Sequence, residues 1–270
     1  MNFDFSDDQK ALREELRRML QRESPPAKAR EAIDQGLSHQ AALWQHLVDV
    51  GATGLMLPEA ARGAGLGAME LCVAAEELGR QLAAVPYGSS LYLAAQAVLL
   101  GGTEAQQNQW LSRVAAGEIA TLAGLDTLAG EGAELPLFDG NCLQGESALV
   151  PDGGVASWAA VRARDEGGVV CWVVAELDGS VQRRPLPTRD PSRPWAALHF
   201  NATPAQVLGL LHAAGSDTAA EGSHDAGCVA ALETFERRLR ARAAVLTAFE
   251  ALGGADAALE MAAAYARERR

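Results

Sequence analysis

The sequence predicts an α+β protein of several domains: a helical N-terminal domain, a middle antiparallel β-barrel domain and a C-terminal helical domain whose bundle is incomplete. Three changes in the hydrophobic pattern predict this order. Helical periodicity fills residues 1–118, short apolar runs between turn residues fill residues 119–214, and helical periodicity returns over residues 215–270. A chain of 270 residues is long enough to bury substantial cores.

The N-terminal domain shows the start and stop signals of successive helices. Ser6 followed by Gln9 predicts a capping box, and apolar residues then recur on one helical face. Because proline interrupts a helix, we expect this first helix to stop at 24–26. Further helices are predicted over about 69–81 and 90–100.

The middle domain reads as strands joined by turns. The clearest strand is Val169–Ala175, a β-branched run flanked by glycine and aspartate. No helical pattern separates the strands, so a small antiparallel barrel or sandwich is favoured over a doubly wound sheet. The other predicted strands are 148–150, 159–163, 181–185 and 196–200.

The C-terminal domain begins with a linker rich in glycine, serine and aspartate over 215–227. A helix rich in alanine and leucine is predicted from Val229 to Arg270, interrupted at Gly253-Gly254. It carries no C-terminal cap. We therefore expect either that further sequence follows it or that its end docks on another surface.

Composition excludes several functional classes. Lys+Arg number 23 and Asp+Glu 35, a net charge of −12 that argues against nucleic-acid binding. No apolar run approaches the roughly 18 residues of a membrane span, and the N-terminus lacks the pattern of a signal peptide, so we expect a cytoplasmic protein. The four cysteines lack CxxC spacing, which disfavours a metal site or a disulfide framework and predicts isolated thiols.

Two stretches resemble functional motifs, a phosphate-binding loop and a pair of catalytic carboxylates, but their residue spacing does not match either motif. The glycine-rich segment 57–67 lacks the GK[ST] of a phosphate loop and lies between helices, so a turn is the favoured interpretation. Glu76 and Glu77 are adjacent on a helix and diverge by about 100°. We expect one of them to pair with an arginine and the other to be solvated. The residues alone predict no catalytic constellation.

Several segments, in order along the chain, nevertheless match one family pattern. They are Phe5–Gln9, Leu43-Trp44 with Gly51, Gly54 and Leu57–Gly67, Glu76–Arg80, Gly102–Glu104 with Trp110-Leu111, Ala116–Glu118, Asp190–Arg193, Ala251–Gly253 and Tyr265–Arg269. Over essentially all 270 residues the chain resembles the acyl-CoA dehydrogenases, flavoproteins that desaturate the α,β bond of acyl-CoA thioesters.

The resemblance implies how such a protein works. FAD lies between the β domain and the C-terminal bundle, and a partner subunit completes the site. Hydrogen bonds to the thioester carbonyl acidify the α-proton, a glutamate removes that proton, and the β-hydride passes to the flavin. Arg269 matches an arginine that reaches the pyrophosphate of a neighbouring subunit's FAD. The other cofactor contacts implied are Leu122, Gly124, Leu125, Asp126, Leu149 and Pro151.

The chain differs from the family pattern at the positions that contact the flavin and at the position of the catalytic base. Leu149 and Pro151 replace the tryptophan and threonine that lie against the flavin ring. The usual catalytic glutamate falls beyond Arg270, and the alternative position for a base is Ala243. No catalytic residue is therefore predicted, and we expect the chain alone to be inactive.

Three interpretations stay open. The chain is part of a FAD-dependent acyl-CoA dehydrogenase, it is a non-catalytic subunit of a heteromeric acyl-CoA dehydrogenase, or it is an interaction module that keeps only the fold and binds no flavin. The first two imply an acyl-CoA substrate and either a homodimer or tetramer or a heteromeric partner subunit. The FAD is then either lost from this chain or supplied with the partner.

Overall fold

The computed structural model describes residues 4–128, 134–209 and 226–269. Within these ranges, no helix combines the length and the apolar character that crossing a membrane requires. The helices of the N-terminal part are α1 (Asp7–Glu23), α2 (Pro26–Asp34), α3 (Ala41–Asp49), α4 (Ala68–Arg80), α5 (Ala95–Gly101) and α6 (Glu104–Ala115). A π-helical stretch, Gly88–Ala94, runs directly into α5, and two single 3₁₀ turns precede α4.

The predicted helix starts are confirmed in atomic detail. The Ser6 hydroxyl accepts from the Gln9 backbone N–H at 3.2 Å, and the Gln9 side chain accepts from the Ser6 N–H at 3.0 Å. α1 ends where predicted, but the expected break is followed at once by α2. Pro26 is the first residue of that helix, where a missing N–H costs nothing.

The middle of the chain forms one seven-stranded sheet, and each predicted strand overlaps an observed one. A single turn of helix, α7 (Leu125–Leu128), follows the first strand. The strands are β1 (Ala120–Ala123), β2 (Leu137–Phe138), β3 (Cys142–Pro151), β4 (Trp158–Asp165), β5 (Val170–Glu176), β6 (Val181–Leu186) and β7 (Trp195–Val207).

The sheet closes on itself, which confirms the predicted barrel. Strand β4 pairs with β2 on one side and β5 on the other, and β3 and β7 complete the ring. The sheet is mainly antiparallel, but β4 pairs in parallel with β1 and with β2. Parallel pairing needs a crossover connection, which the chain between β1 and β4 supplies.

The predicted linker at 215–227 lies, up to residue 225, outside the described residues. The described residues that follow form one helix of 43 residues, α8 (Ala226–Glu268), which the Gly253-Gly254 pair does not interrupt, contrary to the prediction. These glycines lie where α8 crosses α4. A Cβ atom on Gly253 would lie 1.8 Å from the Glu76 carbonyl oxygen, and one on Gly79 would lie 1.9 Å from the Glu250 carbonyl oxygen. Glycine at the crossing therefore lets the two backbones approach closely.

Ion pairs join α1 to α4. Arg13 contacts Glu76 at 2.9 Å, and Arg17 contacts the fully buried Glu77 at 2.7 Å. The expectation that one of these glutamates is solvated is therefore wrong. The two arginines lie one turn apart on α1 and reach both carboxylates, because α1 packs along the α4 face that carries them.

The N-terminal half of α8 packs on the barrel. The Glu236 carboxylate accepts from Arg162 Nε at 2.8 Å and from Trp172 Nε1 at 3.1 Å. The Phe235 ring packs edge-on against Trp172, with 5.4 Å between ring centroids. One helix thus touches both the barrel and α4, and the space between those two contacts is where a cavity opens.

The cysteines for which a side chain is described are free thiols, as predicted. They are Cys72, which is buried, and Cys142 and Cys171, which are half-buried. Burial raises the pKa of the Cys171 thiol to about 11, so this group is protonated and unreactive at neutral pH.

The α4–α8 crossing yields a sharp stability prediction. We expect Gly253→Ala to lower the free energy of unfolding by about 3 kcal/mol, since its methyl group collides with backbone. Gly254→Ala is the matched control, because its Cβ would lie 3.5 Å from the Gly79 carbonyl oxygen, an ordinary contact. That variant gains up to about 1 kcal/mol of helix propensity. Urea unfolding of both variants is the measurement, and equal destabilisation contradicts the close crossing.

Candidate functional site

A cavity of about 900 Å³ lies between the π-helical stretch, the ends of β3 and β7, and α8. Its walls are mainly apolar, and small residues of α8 such as Ala243 and Gly254 form one side. Cavities of this size hold small-molecule ligands in other proteins. This cavity is the candidate functional site.

Three residues singled out from the sequence meet in the wall of this cavity. Leu125 from α7, Pro151 from the end of β3 and Ala243 from α8 all border it. Gly124 precedes Leu125 with a φ of 111°, a conformation that glycine adopts freely and that turns the chain from β1 into α7. Leu122 lies behind the wall, fully buried in the core.

The remaining predicted contacts lie elsewhere. Asp126 is half-buried on α7, and Leu149 is 44% exposed on β3 outside the cavity wall. Arg269 follows the last residue of α8, its guanidinium 5.4 Å from the Tyr265 ring centroid. It lies about 22 Å along the helix axis from Gly254. Its role toward a neighbouring subunit stays a prediction.

Polar groups that the sequence analysis did not identify line the same cavity. The Ser89 hydroxyl donates to the buried Asp152 carboxylate at 2.7 Å. The Arg193 guanidinium donates to the Val85 carbonyl oxygen at 3.1 Å and pairs with the Glu250 carboxylate. Arg193 belongs to the DPSR segment noted in the sequence, but no local pattern connects these residues, because their partners are more than 50 positions away.

Burial shifts the pKa values of two titratable side chains in this wall, Asp152 and Tyr92. Burial raises the pKa of Asp152, opposed by its hydrogen bond from Ser89 and by the charge of Arg193. Burial also holds the pKa of Tyr92 well above its usual value, and the Glu250 charge raises it further. The Tyr92 hydroxyl is therefore neutral.

Comparison with known proteins identifies the chain's relatives. Residues 6–118 match the family described as acyl-CoA dehydrogenase, N-terminal domain. The chain is 33% identical to acyl-CoA dehydrogenase FadE27 of Mycobacterium tuberculosis over 230 aligned residues. This alignment covers 84% of this chain and 56% of that protein. The chain belongs to the acyl-CoA dehydrogenase family. It spans about half the length of that relative.

Further acyl-CoA dehydrogenase relatives support the assignment. The chain is 32% identical to the mitochondrial isovaleryl-CoA dehydrogenase of Pongo abelii, over 47% of this chain and 30% of that one. The Tcur3481-Tcur3483 steroid ACAD G363A variant superposes with a TM-score of 0.73 at 27% identity, covering 98% of this chain and 68% of that chain. Butyryl-CoA dehydrogenase of Megasphaera elsdenii superposes with a TM-score of 0.80 at 20% identity. The superposition covers 100% of this chain and 71% of that chain, and it confirms the predicted fold class.

The family implies FAD, and the cavity wall offers that cofactor little. Its described residues include the carboxylates of Asp152, Asp190 and Glu250, but the one guanidinium among them, Arg193, is already paired. A flavin ring presents acceptor atoms and becomes more negative on reduction, so three carboxylates and a paired guanidinium do not suit it. Pro151 supplies no hydroxyl. The residues of this wall do not by themselves fit a flavin.

The buried carboxyl group predicts a pH dependence of stability. A raised pKa means that the folded state holds the Asp152 proton more tightly than the unfolded state. The free energy of unfolding of the unmodified chain, minus that of Asp152→Asn, should therefore fall as the pH rises above about 4. Urea unfolding from about pH 3 to pH 8 measures this difference.

Asp178→Asn is the control with the opposite sign. Hydrogen bonds from Ser180 lower the pKa of the exposed Asp178 carboxyl group. The same difference for this control should rise with pH below about 4 and stay level at higher pH. A difference for Asp152→Asn that rises with pH contradicts the raised pKa.

Proposed function

We propose that this chain is part of a FAD-dependent acyl-CoA dehydrogenase, which desaturates the α,β bond of an acyl-CoA thioester, and that the chain alone is inactive. One observation carries the proposal. Leu125, Pro151 and Ala243, which come from three separate elements, border one cavity where the barrel meets α8. The resemblance puts the flavin against Leu125 and Pro151 and the alternative base at Ala243, so the reacting acyl group would lie between them.

The role of the chain's own residues follows from the cavity. Apolar side chains such as Leu93 and Leu125 shield a bound acyl chain from water, and the small side chain of Ala243 leaves room for it. A methyl group accepts no proton. The base must therefore come from outside this wall.

A second candidate is a non-catalytic subunit whose own cavity is unused. The observation that favours it is the wall itself, with Ala243 at the position of a base and paired or buried charges around the cavity. Its likeness to the Tcur3481-Tcur3483 steroid ACAD, a protein named for two components, supports a heteromeric assembly in either case.

The first test concerns the cofactor and turnover. We expect the purified chain to show no flavin absorbance between about 350 and 500 nm and no reduction of an electron acceptor with acyl-CoA substrates. Co-expression with a candidate partner subunit should give both. Absence of flavin in every co-purified complex supports the interaction module instead, and turnover by the chain alone refutes the predicted inactivity.

The second test separates the two candidates within the active assembly. If the cavity holds the acyl group, Ala243→Trp fills it and should lower kcat/KM at least tenfold. The matched control is Ala264→Trp, an exposed position on the same helix that does not border the cavity. Full activity of both variants contradicts a catalytic role for this cavity and supports the non-catalytic subunit.

A further inference from the structure

Asp152 is a buried residue in the wall of the cavity, and one of its carboxyl oxygens is left for a ligand. The residue is 7% exposed. Its Oδ2 accepts from the Ser89 hydroxyl at 2.7 Å, whereas none of the described residues donates to Oδ1. A buried carboxyl oxygen without a donor costs free energy, and a bound donor removes that cost.

The backbone holds this carboxyl group in one place. Asp152 has a φ of 52°, a left-handed conformation that aspartate tolerates better than most residues do. Its N–H donates to the Pro194 carbonyl oxygen at 2.8 Å, and its own carbonyl oxygen accepts from the N–H groups of Val155 and Ala156 at 3.0 Å. The position of the carboxyl group is therefore set before a ligand arrives, which is the condition for selective binding.

The donors beside Asp152 are already used. The Ser89 hydroxyl lies 3.1 Å from the Pro86 carbonyl oxygen as well as close to Asp152, and Arg193 contacts a backbone carbonyl oxygen and the Glu250 carboxylate. The remaining capacity of this part of the wall is therefore for accepting hydrogen bonds. The same acceptors that do not suit a flavin suit a ligand group that donates.

A hydroxyl group fits this position better than other polar groups do. It donates to an ionised carboxyl group and accepts from a protonated one, so it satisfies Oδ1 in both states. Both states count, because burial raises the pKa of Asp152. A ketone has no proton to donate and matches only the protonated state. An ammonium group would bring its charge into a mainly apolar cavity, where its desolvation is costly.

We propose that the cavity takes an acyl group that carries a hydroxyl group, and that Asp152 is the specificity-determining residue that binds this hydroxyl through Oδ1. The apolar part of the wall holds the carbon chain, and a volume of about 900 Å³ leaves room for the chain and its substituent. This inference rests on the proposed function, because it names the class of acyl group that the same cavity selects.

Isothermal titration of the purified chain with a set of CoA thioesters tests the selectivity. The probes are decanoyl-CoA and its derivatives with one hydroxyl group, each at a different carbon in the distal half of the chain. We expect at least one hydroxy derivative to bind at least tenfold more tightly than decanoyl-CoA, because an unsubstituted chain leaves Oδ1 buried without a donor. The ketone at the same carbon should lose this advantage.

Asp152→Gly tests the residue. Glycine adopts the left-handed conformation freely, and the Ser89 hydroxyl keeps the Pro86 carbonyl oxygen as its acceptor. The ratio of the two affinities, for the preferred hydroxy derivative and for decanoyl-CoA, should fall from at least tenfold to about one. Asp178→Gly is the matched control, since Asp178 is exposed and lies outside the cavity, and it should keep the ratio. Unchanged circular dichroism verifies folding.

The outcomes separate this inference from the proposed function. Equal affinity for decanoyl-CoA and every hydroxy derivative overturns the selectivity and leaves the proposed acyl site standing. A preference that survives Asp152→Gly, or a ketone that binds as tightly as the alcohol, overturns the role given to Asp152. Failure of every thioester to bind, or binding that Ala243→Trp does not weaken, overturns the inference together with the acyl site.

Discussion

The close approach of α4 and α8 is the constraint on which the rest of the structure depends. Two backbones meet at Gly79 and Gly253 at a distance that no side chain permits. Arg80, only 8% exposed, pairs there with Asp256 and Glu260 across the crossing. A buried guanidinium is costly unless it is paired, so these ion pairs hold one relative position of the two helices rather than adding much net stability.

The cavity is a consequence of that crossing. α8 is fixed at two places, at α4 through its glycines and at the barrel through Glu236, and it bridges the gap between them. Ala243 on this segment and Gly254 at the crossing are too small to fill the gap. The residues that shape the crossing thus also leave room for a ligand.

Local features were predictable from the sequence, and long-range ones were not. The capping box at Ser6 depends on residues three positions apart, and a strand pattern depends on alternation within a short run. Both could therefore be predicted from the sequence. The Ser89–Asp152 contact joins residues 63 positions apart, and the sequence around either residue does not predict the other as its partner. Gly253 was misread as a helix break, because its reason for being glycine lies in Glu76 of another helix.

The same reasoning explains why α8 has no distinct polar face. An exposed helix in a globular protein carries apolar residues along one stripe, whereas a helix that is apolar on every side belongs in an interior. The surface of α8 has three sides in different surroundings. One contacts α4 at Gly253, one borders the cavity at Ala243, and one is exposed at Leu252. Its first two sides are explained by this chain. The third side is covered by none of the described residues, which is the surface that an incomplete helical bundle leaves open.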